Sequence, residues 1–416
     1  LIVRAFAGDA VFAAAIDALI LPTPASGEWS LMGRSEVRAG VVGIGFIGVA
    51  HVEALRRLGV DVVGVVGSSP ERARAKAEAS GLPPVYESVV DLAADPEIDV
   101  VHITSPNYAH ADQVRTVLDA GKHVVCEKPL ALTSEDTADL VARAERAGLV
   151  NAVCFNIRHY PLNHQAMAMV AAGDIGQPIF ITGSYHQDWL LKDTDWNWRL
   201  QPEEAGRLRA VADIGSHWLD LTRFISGLDV KEVMAELHTL VPVRRHPKGP
   251  VESFAKADLT GDLIEEEMSS DDAAGILLRY EGSARGAVTI SQVSAGEKNS
   301  VRYEIAGSEA SLSWYSQHPD QLMMGHRDRP NEVLYRDPGN SAPEASRNMA
   351  YPGGHVEGFP DTFRALFSQV YSAIESGHSG EGAAAYPTFA DGHDAMLVTE
   401  AVATSHDEGR WTKVAR

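Results

Sequence analysis

From Arg38 onward, short runs of β-branched residues alternate with stretches whose apolar residues recur every three or four positions. Val41-Val42-Gly43-Ile44-Gly45 is apolar and ends in glycines, and a helical period follows through Ala50, Leu55 and Leu58. Val60 to Val66 is a second strand-like run. Ser69-Pro70-Glu71 then reads as an N-cap, a proline at the first helical position and an acid in the first turn. The helix it opens runs to Ser80 and stops at Gly81. Asp99–Thr104 predicts a third strand, Ala109–Ala120 a helix, Lys122–Cys126 a strand, Ser134–Ala147 a helix and Val150–Phe155 a last strand. Strands alternating with helices of this length predict a doubly wound, Rossmann-like parallel sheet.

The period changes after residue 160. Asn163–Ala172 and Gly215–Ser226 predict helices around the alternating strand Ile179–His186. Beyond Val230 the runs Glu232–Leu240, Gly275–Tyr280, Ala284–Ser291, Val301–Ala306 and Ala310–Tyr315 are separated by Gly, Pro, Asn or Asp. They predict a large, mostly antiparallel open sheet in an α+β domain. The acidic stretch Leu263–Asp272 reads as a solvated loop. Helices close the chain around Asp361–Ser376 and Ala390–Ser405. The expected division is an extension over 1–36, a dinucleotide-binding domain over 37–157 and a substrate-binding and oligomerisation domain over 158–416.

The first segment is Ala-rich but interrupted by Asp9 and Asp17, with only Arg4 as a basic flank. A secretory signal wants an unbroken apolar run after positive charge, so export is the minor reading. A net charge of −21, from 36 basic and 57 acidic residues, repels phosphate backbones and anionic lipid, arguing against nucleic-acid or membrane partners. Two cysteines in 416 residues make no disulfide framework, which points to the cytoplasm. The 16 histidines show no HExxH or similar spacing, and no metal site is expected.

Gly43-Ile44-Gly45-Phe46-Ile47-Gly48 fits GxGxxG between a predicted strand and a predicted helix. The first glycine permits the tight turn, the second lets backbone approach a pyrophosphate, and the third allows close helix packing. The pyrophosphate then meets the helix N-terminus. An NAD site usually has an acid after the second strand to bond the ribose. Here that strand ends Val66-Gly67-Ser68-Ser69, so Ser68 and Ser69 are the candidate ribose contacts. Arg72 and Arg74 are available to a 2′-phosphate or simply solvated, which leaves NAD or NADP open.

Three further segments carry chemistry. Thr104-Ser105-Pro106-Asn107-Tyr108-Ala109-His110 follows the third strand, Glu127-Lys128-Pro129 follows the fourth, and Asp213-Ile214-Gly215-Ser216-His217 opens a helix about 85 residues later. With the glycine loop they resemble the glucose–fructose oxidoreductase and inositol dehydrogenase (Gfo/Idh/MocA) family over residues 38–416. The resemblance implies a catalytic set of Lys128, Asp213 and His217. It also implies that Pro106, Asn107, His110, Glu127 and Lys128 line the nicotinamide and ribose end, and that the bond before Pro129 is cis. Chemistry agrees. Oxidising a secondary alcohol removes a hydroxyl proton while hydride leaves carbon, and histidine is the usual base. Asp213 and His217, four apart, can share one helical face. An ammonium at Lys128, at the carboxyl end of a strand, stabilises a developing alkoxide. Singly, Lys128 reads as a surface charge, Asp213 as a helix cap and His217 as a packed histidine. Their joint occurrence is what argues against those readings.

Around Tyr185-His186-Gln187-Asp188-Trp189 and Trp196-Asn197-Trp198-Arg199 lie three of the seven tryptophans. Indoles beside amides and an arginine suit a sugar, and a loop packed by its own aromatics is the alternative. Gln187, Trp198 and Arg199 are therefore substrate candidates. Asn156 and Arg158 join them by the resemblance, and His355, within Gly354–Gly358, is a late contributor. Ala205-Gly206-Arg207-Leu208-Arg209 departs from the glycine run frequent in the family, and its arginines either meet an acidic substrate or decorate a loop. The expected activity is NAD(P)-dependent oxidation of a secondary hydroxyl of a sugar, sugar derivative or cyclitol, with His217 as base and Asp213 as its partner, in a homodimer or homotetramer. A reductase of dihydrodiols, aldehydes or imines, and a non-catalytic cofactor sensor, are the alternatives.

Overall fold

The computed structural model describes residues 35–249, 251, 260–377 and 385–416; the expected extension therefore lies almost wholly outside the described residues. Five short strands, β1 (Ala39–Val42), β2 (Val62–Val66), β3 (Val100–Ile103), β4 (His123–Cys126) and β5 (Asn151–Val153), form one sheet in the order β2-β1-β3-β4-β5. Every pairing is parallel. Helices α1 (Phe46–Arg57), α2 (Pro70–Ser80), α3 (Val89–Ala94), α4 (His110–Asp119) and α5 (Ser134–Ala147) connect them. Ser69 caps α2 through its side chain and Gly81 ends it in the left-handed region, as the sequence predicts. The strands are covered on both sides, so they carry almost continuous apolar residues instead of alternation. The short helix α3 escaped the sequence reading; a capping serine, Ser88, opens it.

After α6 (Pro161–Ala172) the chain builds a nine-stranded sheet. Its members are β6 (Pro178–His186), β7 (Val230–His238), β10 (Ala273–Tyr280), β11 (Arg285–Ser291), β12 (Ser300–Gly307), β13 (Ala310–Tyr315), β14 (Gln321–His326), β15 (Glu332–Tyr335) and β16 (Thr412–Lys413). The order is β15-β14-β13-β12-β6-β11-β10-β7-β16, antiparallel except where β6 and β11 run parallel. The acidic stretch is a correction: Leu263–Glu267 is strand β9, paired with β8 (Val243–Pro247). Glu266 and Glu265 lie opposite Arg244 and Arg245, and His246 Nε2 meets Glu266, so opposite charges across the ladder favour a strand over a solvated loop.

Two short helices, α7 (Pro202–Ala205) and α9 (Pro343–Ser346), lie in the connections, and one face of the large sheet packs on α6, on α8 (Ser216–Ser226) and on the long α11 (Phe389–Glu408). Trp218 is the anchor of α8. It is fully buried, its Nε1 donates to the Arg302 carbonyl (2.8 Å), and it lies so close to Gly183 that a Cβ there would come within 2.6 Å of the indole nitrogen. Truncating such a residue costs ~3–5 kcal/mol, and its neighbour in the chain is His217. The helix α10 (Phe359–Glu375) returns to the first domain: Phe363, Leu366, Phe367, Val370 and Tyr371 share a core with β1, β3 and α1. The chain thus crosses between the two sheets more than once, and the crossings bracket the site.

Candidate active site

The glycine loop leaves β1 and enters α1. Gly43 has φ +91°, and a Cβ there would strike the Thr104 and Ser105 backbone at 2.6–2.7 Å. A Cβ on Gly48 would lie 2.0 Å from the Gly43 carbonyl oxygen, so the third glycine lets α1 sit against the turn. At Gly45 a Cβ would meet nothing within 4 Å, and no side chain caps α1. Open space over an uncapped helix N-terminus is what a pyrophosphate needs. Phe46 is exposed and Ile47 half-buried beside it. Ser68 is exposed; Ser69 Oγ accepts from the Arg72 amide as the α2 cap. Arg74 is ion-paired to Glu87.

Across the sheet, the turn after β4 carries Glu127, Lys128 and a cis bond to Pro129. Lys128 Nζ donates to Asp213 Oδ1 (2.7 Å) and to the Asp213 carbonyl (2.9 Å). Asp213 Oδ1 also receives Arg199 Nε (3.3 Å), and Oδ2 receives Gln292 Nε2 (2.9 Å). Burial opposes the charge on this carboxylate, but Lys128 and Arg199 outweigh it and hold its pKa well below the usual range. Asp213 lies in a π-helical turn, Val211–Gly215, that runs straight into α8. Widened turns of this kind favour functional positions because they re-aim side chains.

His217, in the first turn of α8, is buried between Phe155 and Tyr185, with ring centroids 5.7 and 6.3 Å away. The expected Asp213–His217 pair is not a hydrogen bond: the widened turn sends the carboxylate to Lys128, Arg199 and Gln292 instead. Burial, and then the Lys128 charge, push the His217 pKa down to about 3, with Glu127 and Asp213 acting the other way. Its Nδ1 and the Oε1 of Gln292 are buried without hydrogen-bond partners among the described residues. A hydroxylated ligand would use that capacity.

Glu127 is buried against this group. Its Oε2 accepts from the Lys128 amide (3.1 Å) and its Oε1 meets His51 Nε2 (3.2 Å). Burial alone would raise its pKa, but the His51 hydrogen bond and the Lys128 charge bring it to about 2. The ligand atoms of His51, Glu127 and Cys154 lie within 4.8 Å of one another. Burial, then the neighbouring Glu127 charge, push the Cys154 thiol far up. A protonated thiol beside a carboxylate already bonded to His51 is a hydrogen-bonded group, and an ion there would have to displace those bonds.

The other candidates divide. Arg199 lies over Trp198 (4.4 Å) and Trp189 (5.7 Å), and Trp189 Nε1 donates to Gln187 Oε1 (2.6 Å). Gln187 Nε2 in turn donates to Asn299 Oδ1, which also accepts from Tyr185. So Gln187, Trp198 and Arg199 do reach the Asp213 group, and Gln292, Asn299 and Trp189 join them. Gln292 lies one residue beyond a strand that the sequence predicted, and that position was its available signal. Trp196 departs from the sugar-stacking reading: it stacks on His246 at 3.7 Å within a small core of Leu190 and Leu200.

Asn107 lies buried near the start of α4, its amide donating to the Ala205 carbonyl (3.2 Å), with Pro106 beside it. His110 is a correction. Both ring nitrogens face backbone carbonyls, Pro129 at 2.8 Å and Ser105 at 2.9 Å, so the ring is enclosed by two loops, its single N–H donates to one of them, and neither nitrogen is turned to a ligand. Asn156 is spent on Thr362. Arg158 pairs with Asp220 and Asp391 and lines a cleft of about 720 Å³ with His164 and Arg223, which none of Lys128, Asp213 and His217 touches. His355 sits on an exposed turn bonded to Gly353, with its carbonyl held by Arg336. Arg209 is buried on Asp272 and Arg207 pairs with Asp407, which leaves neither arginine aimed at a substrate.

Comparison with known proteins agrees with this geometry. The model of the oxidoreductase family with an NAD-binding Rossmann fold matches residues 37–155, and that of the Gfo/Idh/MocA C-terminal domain matches residues 163–313. Levoglucosan dehydrogenase from Pseudarthrobacter phenanthrenivorans is 28% identical over 91% of this chain and 98% of its own. The 1,5-anhydro-D-fructose reductase of Ensifer adhaerens is 34% identical over 51% of this chain and 60% of its own. The structure of levoglucosan dehydrogenase with NADH and L-sorbose superposes with a TM-score of 0.81 at 27% identity, covering 91% of this chain and 99% of that one. The chain belongs to the Gfo/Idh/MocA family of NAD-binding oxidoreductases.

Proposed function

We propose that this enzyme oxidises a secondary hydroxyl of a sugar, sugar derivative or cyclitol, and that Lys128, Asp213 and His217 carry the reaction. The observation that supports this most is the clamp on Lys128: its ammonium is fixed at two points by Asp213 beside a neutral histidine, where the turn after β4 and the second domain meet. Gly43, Gly45 and Gly48, with the N-terminus of α1, would hold the cofactor's pyrophosphate. Ser68 would meet its ribose, and Pro106, Asn107 and Glu127 would border its nicotinamide end. When bound, the nicotinamide supplies the hydride acceptor.

The chain's own residues do the rest. The substrate hydroxyl lies against Lys128 Nζ, whose charge lowers the cost of an alkoxide. His217, held neutral by burial and the Lys128 charge, accepts the hydroxyl proton as the carbinol C–H leaves as hydride, so a carbonyl remains and the histidine is left charged. Asp213 and Glu127 balance that charge. Arg199, held over Trp189 and Trp198, and Gln187 and Gln292 orient the remaining hydroxyls.

The reductase reading uses the same site in reverse and draws support from the anhydrofructose relative. By microscopic reversibility the imidazole that takes the hydroxyl proton in oxidation returns it in reduction, so the two readings differ in the substrate and cofactor form that the enzyme turns over. Phe180, Leu277, Met323, Val333 and Tyr335 leave apolar surface on the large sheet, which suits a homodimer or homotetramer built across that face. Two buried free thiols, Cys126 and Cys154, fit a reducing compartment such as the cytoplasm. Among the described residues no helix is long and apolar enough to cross a membrane.

The test is turnover of purified enzyme with NAD, then NADP, against anhydrosugars, pyranoses and inositols, followed by absorbance of the reduced cofactor. Turnover of a polyol supports the reading. Cofactor binding with no turnover of polyols, aldehydes or diols would replace it with the sensor.

A further inference from the structure

Behind the site lies a chain of buried polar groups that the reaction does not call for. Glu127 Oε1 meets His51 Nε2 at 3.2 Å, His51 Nδ1 meets His102 Nδ1 at 3.0 Å, and His102 Nε2 meets Tyr371 Oη at 3.0 Å. The four residues come from the turn after β4, from α1, from β3 and from α10, and Phe363 and Phe367 pack against the imidazoles. His51 and His102 are fully buried and Tyr371 nearly so. Isolated polar groups in such a place are costly, so their order carries information.

We infer that Tyr371, His102 and His51 form a hydrogen-bond relay of fixed direction that keeps Glu127 an oriented anion beside Lys128 and His217, and that all three are positioning residues for proton transfer at His217. This rests on the dehydrogenase reading above for its purpose, but not for its direction. The direction follows from counting donors. Among the described residues the Tyr371 hydroxyl has one hydrogen-bond partner, His102, and a buried O–H left undonated would be an orphan, so it donates to His102 Nε2. Full burial holds His102 neutral, so His102 carries its proton on Nδ1 and donates to His51. His51 Nδ1 therefore accepts, and its proton sits on Nε2, aimed at the carboxylate. Every donor in the series points toward Glu127. The Lys128 amide reaches the second oxygen, so the carboxylate is held at both ends.

The consequence falls on the base. Glu127 opposes the Lys128 charge at His217 and favours the protonated imidazole that forms as the hydroxyl proton arrives. A carboxyl that became neutral there would withdraw this support.

Tautomers test the relay directly. In histidine-selective ¹⁵N-labelled protein without cofactor, long-range proton–nitrogen correlations assigned with His51→Gln and His102→Gln read which nitrogen carries the proton. The expected result is His51 protonated on Nε2 alone and His102 on Nδ1 alone. His51 protonated on Nδ1 or on both nitrogens, or His102 on Nε2, would overturn the relay, as would a metal-bound His51 Nε2 without its proton. Turnover tests the purpose. His51→Leu should lower kcat roughly 10–100-fold with the NADH dissociation constant, read by fluorescence, unchanged within roughly threefold. His51→Gln, whose amide restores a donor near the Nε2 position, should recover most of the loss, and Tyr371→Phe should show a smaller loss of the same kind. Equal losses in the Leu and Gln variants would mean that His51 only packs. Should no sugar be oxidised at all, the tautomers still decide the relay.

Discussion

Asp213 grips the Lys128 ammonium twice, with its carboxylate Oδ1 at 2.7 Å and its own backbone carbonyl at 2.9 Å. A residue from the Rossmann turn is thereby fixed by a residue from the second domain, and the site exists only when both are in place. Lys128→Met should lower kcat by roughly 10²–10³-fold, the loss typical of a missing electrostatic stabiliser. NADH binding, measured by fluorescence, should survive. Asp213→Asn keeps the shape and the backbone contact but removes the charge, and steady-state kinetics should show a smaller loss, again in kcat.

Arg199 makes a different kind of contact. Its guanidinium lies over two indoles while Nε reaches Asp213 Oδ1. Arg199→Met should raise the KM for sugar by about tenfold, which corresponds to ~1.4 kcal/mol of binding. Arg199→Lys should not restore it, because an ammonium neither stacks in this way nor keeps the planar fork. A full rescue by lysine would show that charge alone matters.

The glycines separate folding from binding. A side chain at Gly45 meets empty space, whereas one at Gly48 collides with the Gly43 carbonyl oxygen. Gly45→Val should leave the thermal midpoint nearly unchanged and weaken NADH binding. Gly48→Val should lower the midpoint itself. Calorimetry beside a binding titration distinguishes them.

Acid should weaken the fold in a defined window. The His217 pKa is pushed from 6.5 to about 3 by burial and then Lys128, and that of His159 to about 4 mainly by burial. Below pH 6.5 the unfolded chain takes up protons that these residues refuse in the fold, so their contribution is present above 6.5 and lost as pH falls toward 4. Each contributes a slope of about 1.4 kcal/mol per pH unit in that window. Glu127, held down to about 2, adds its loss only below its ordinary 4.5. Denaturant unfolding of the wild type against His217→Gln across this range should show a shallower slope in the variant.

Local signals made much of this legible in the sequence. Glycine spacing and Ser69 capping are written in neighbouring residues, and so are the strand-end positions of Lys128 and Gln187. Long-range pairing is not. Nothing near Asp213 says that a π-turn re-aims it from His217 to Lys128, or that the amide of Gln292 completes its shell. His110, Asn156 and Arg158 look like ligand contacts in one dimension, and the fold uses them on Ser105, Thr362 and Asp220 instead. The same limit hid β9, whose glutamates become a strand only opposite Arg244 and Arg245.

Isotope transfer addresses the central claim most directly. The enzyme is given NAD and a substrate sugar deuterated at the carbinol carbon, and the reduced cofactor is weighed by mass spectrometry. Oxidation at the Lys128–Asp213–His217 site predicts one deuterium in the NADH from the wild-type enzyme and almost no NADH from Lys128→Met. NADH without deuterium, or undiminished labelling in the Lys128→Met enzyme, would contradict it.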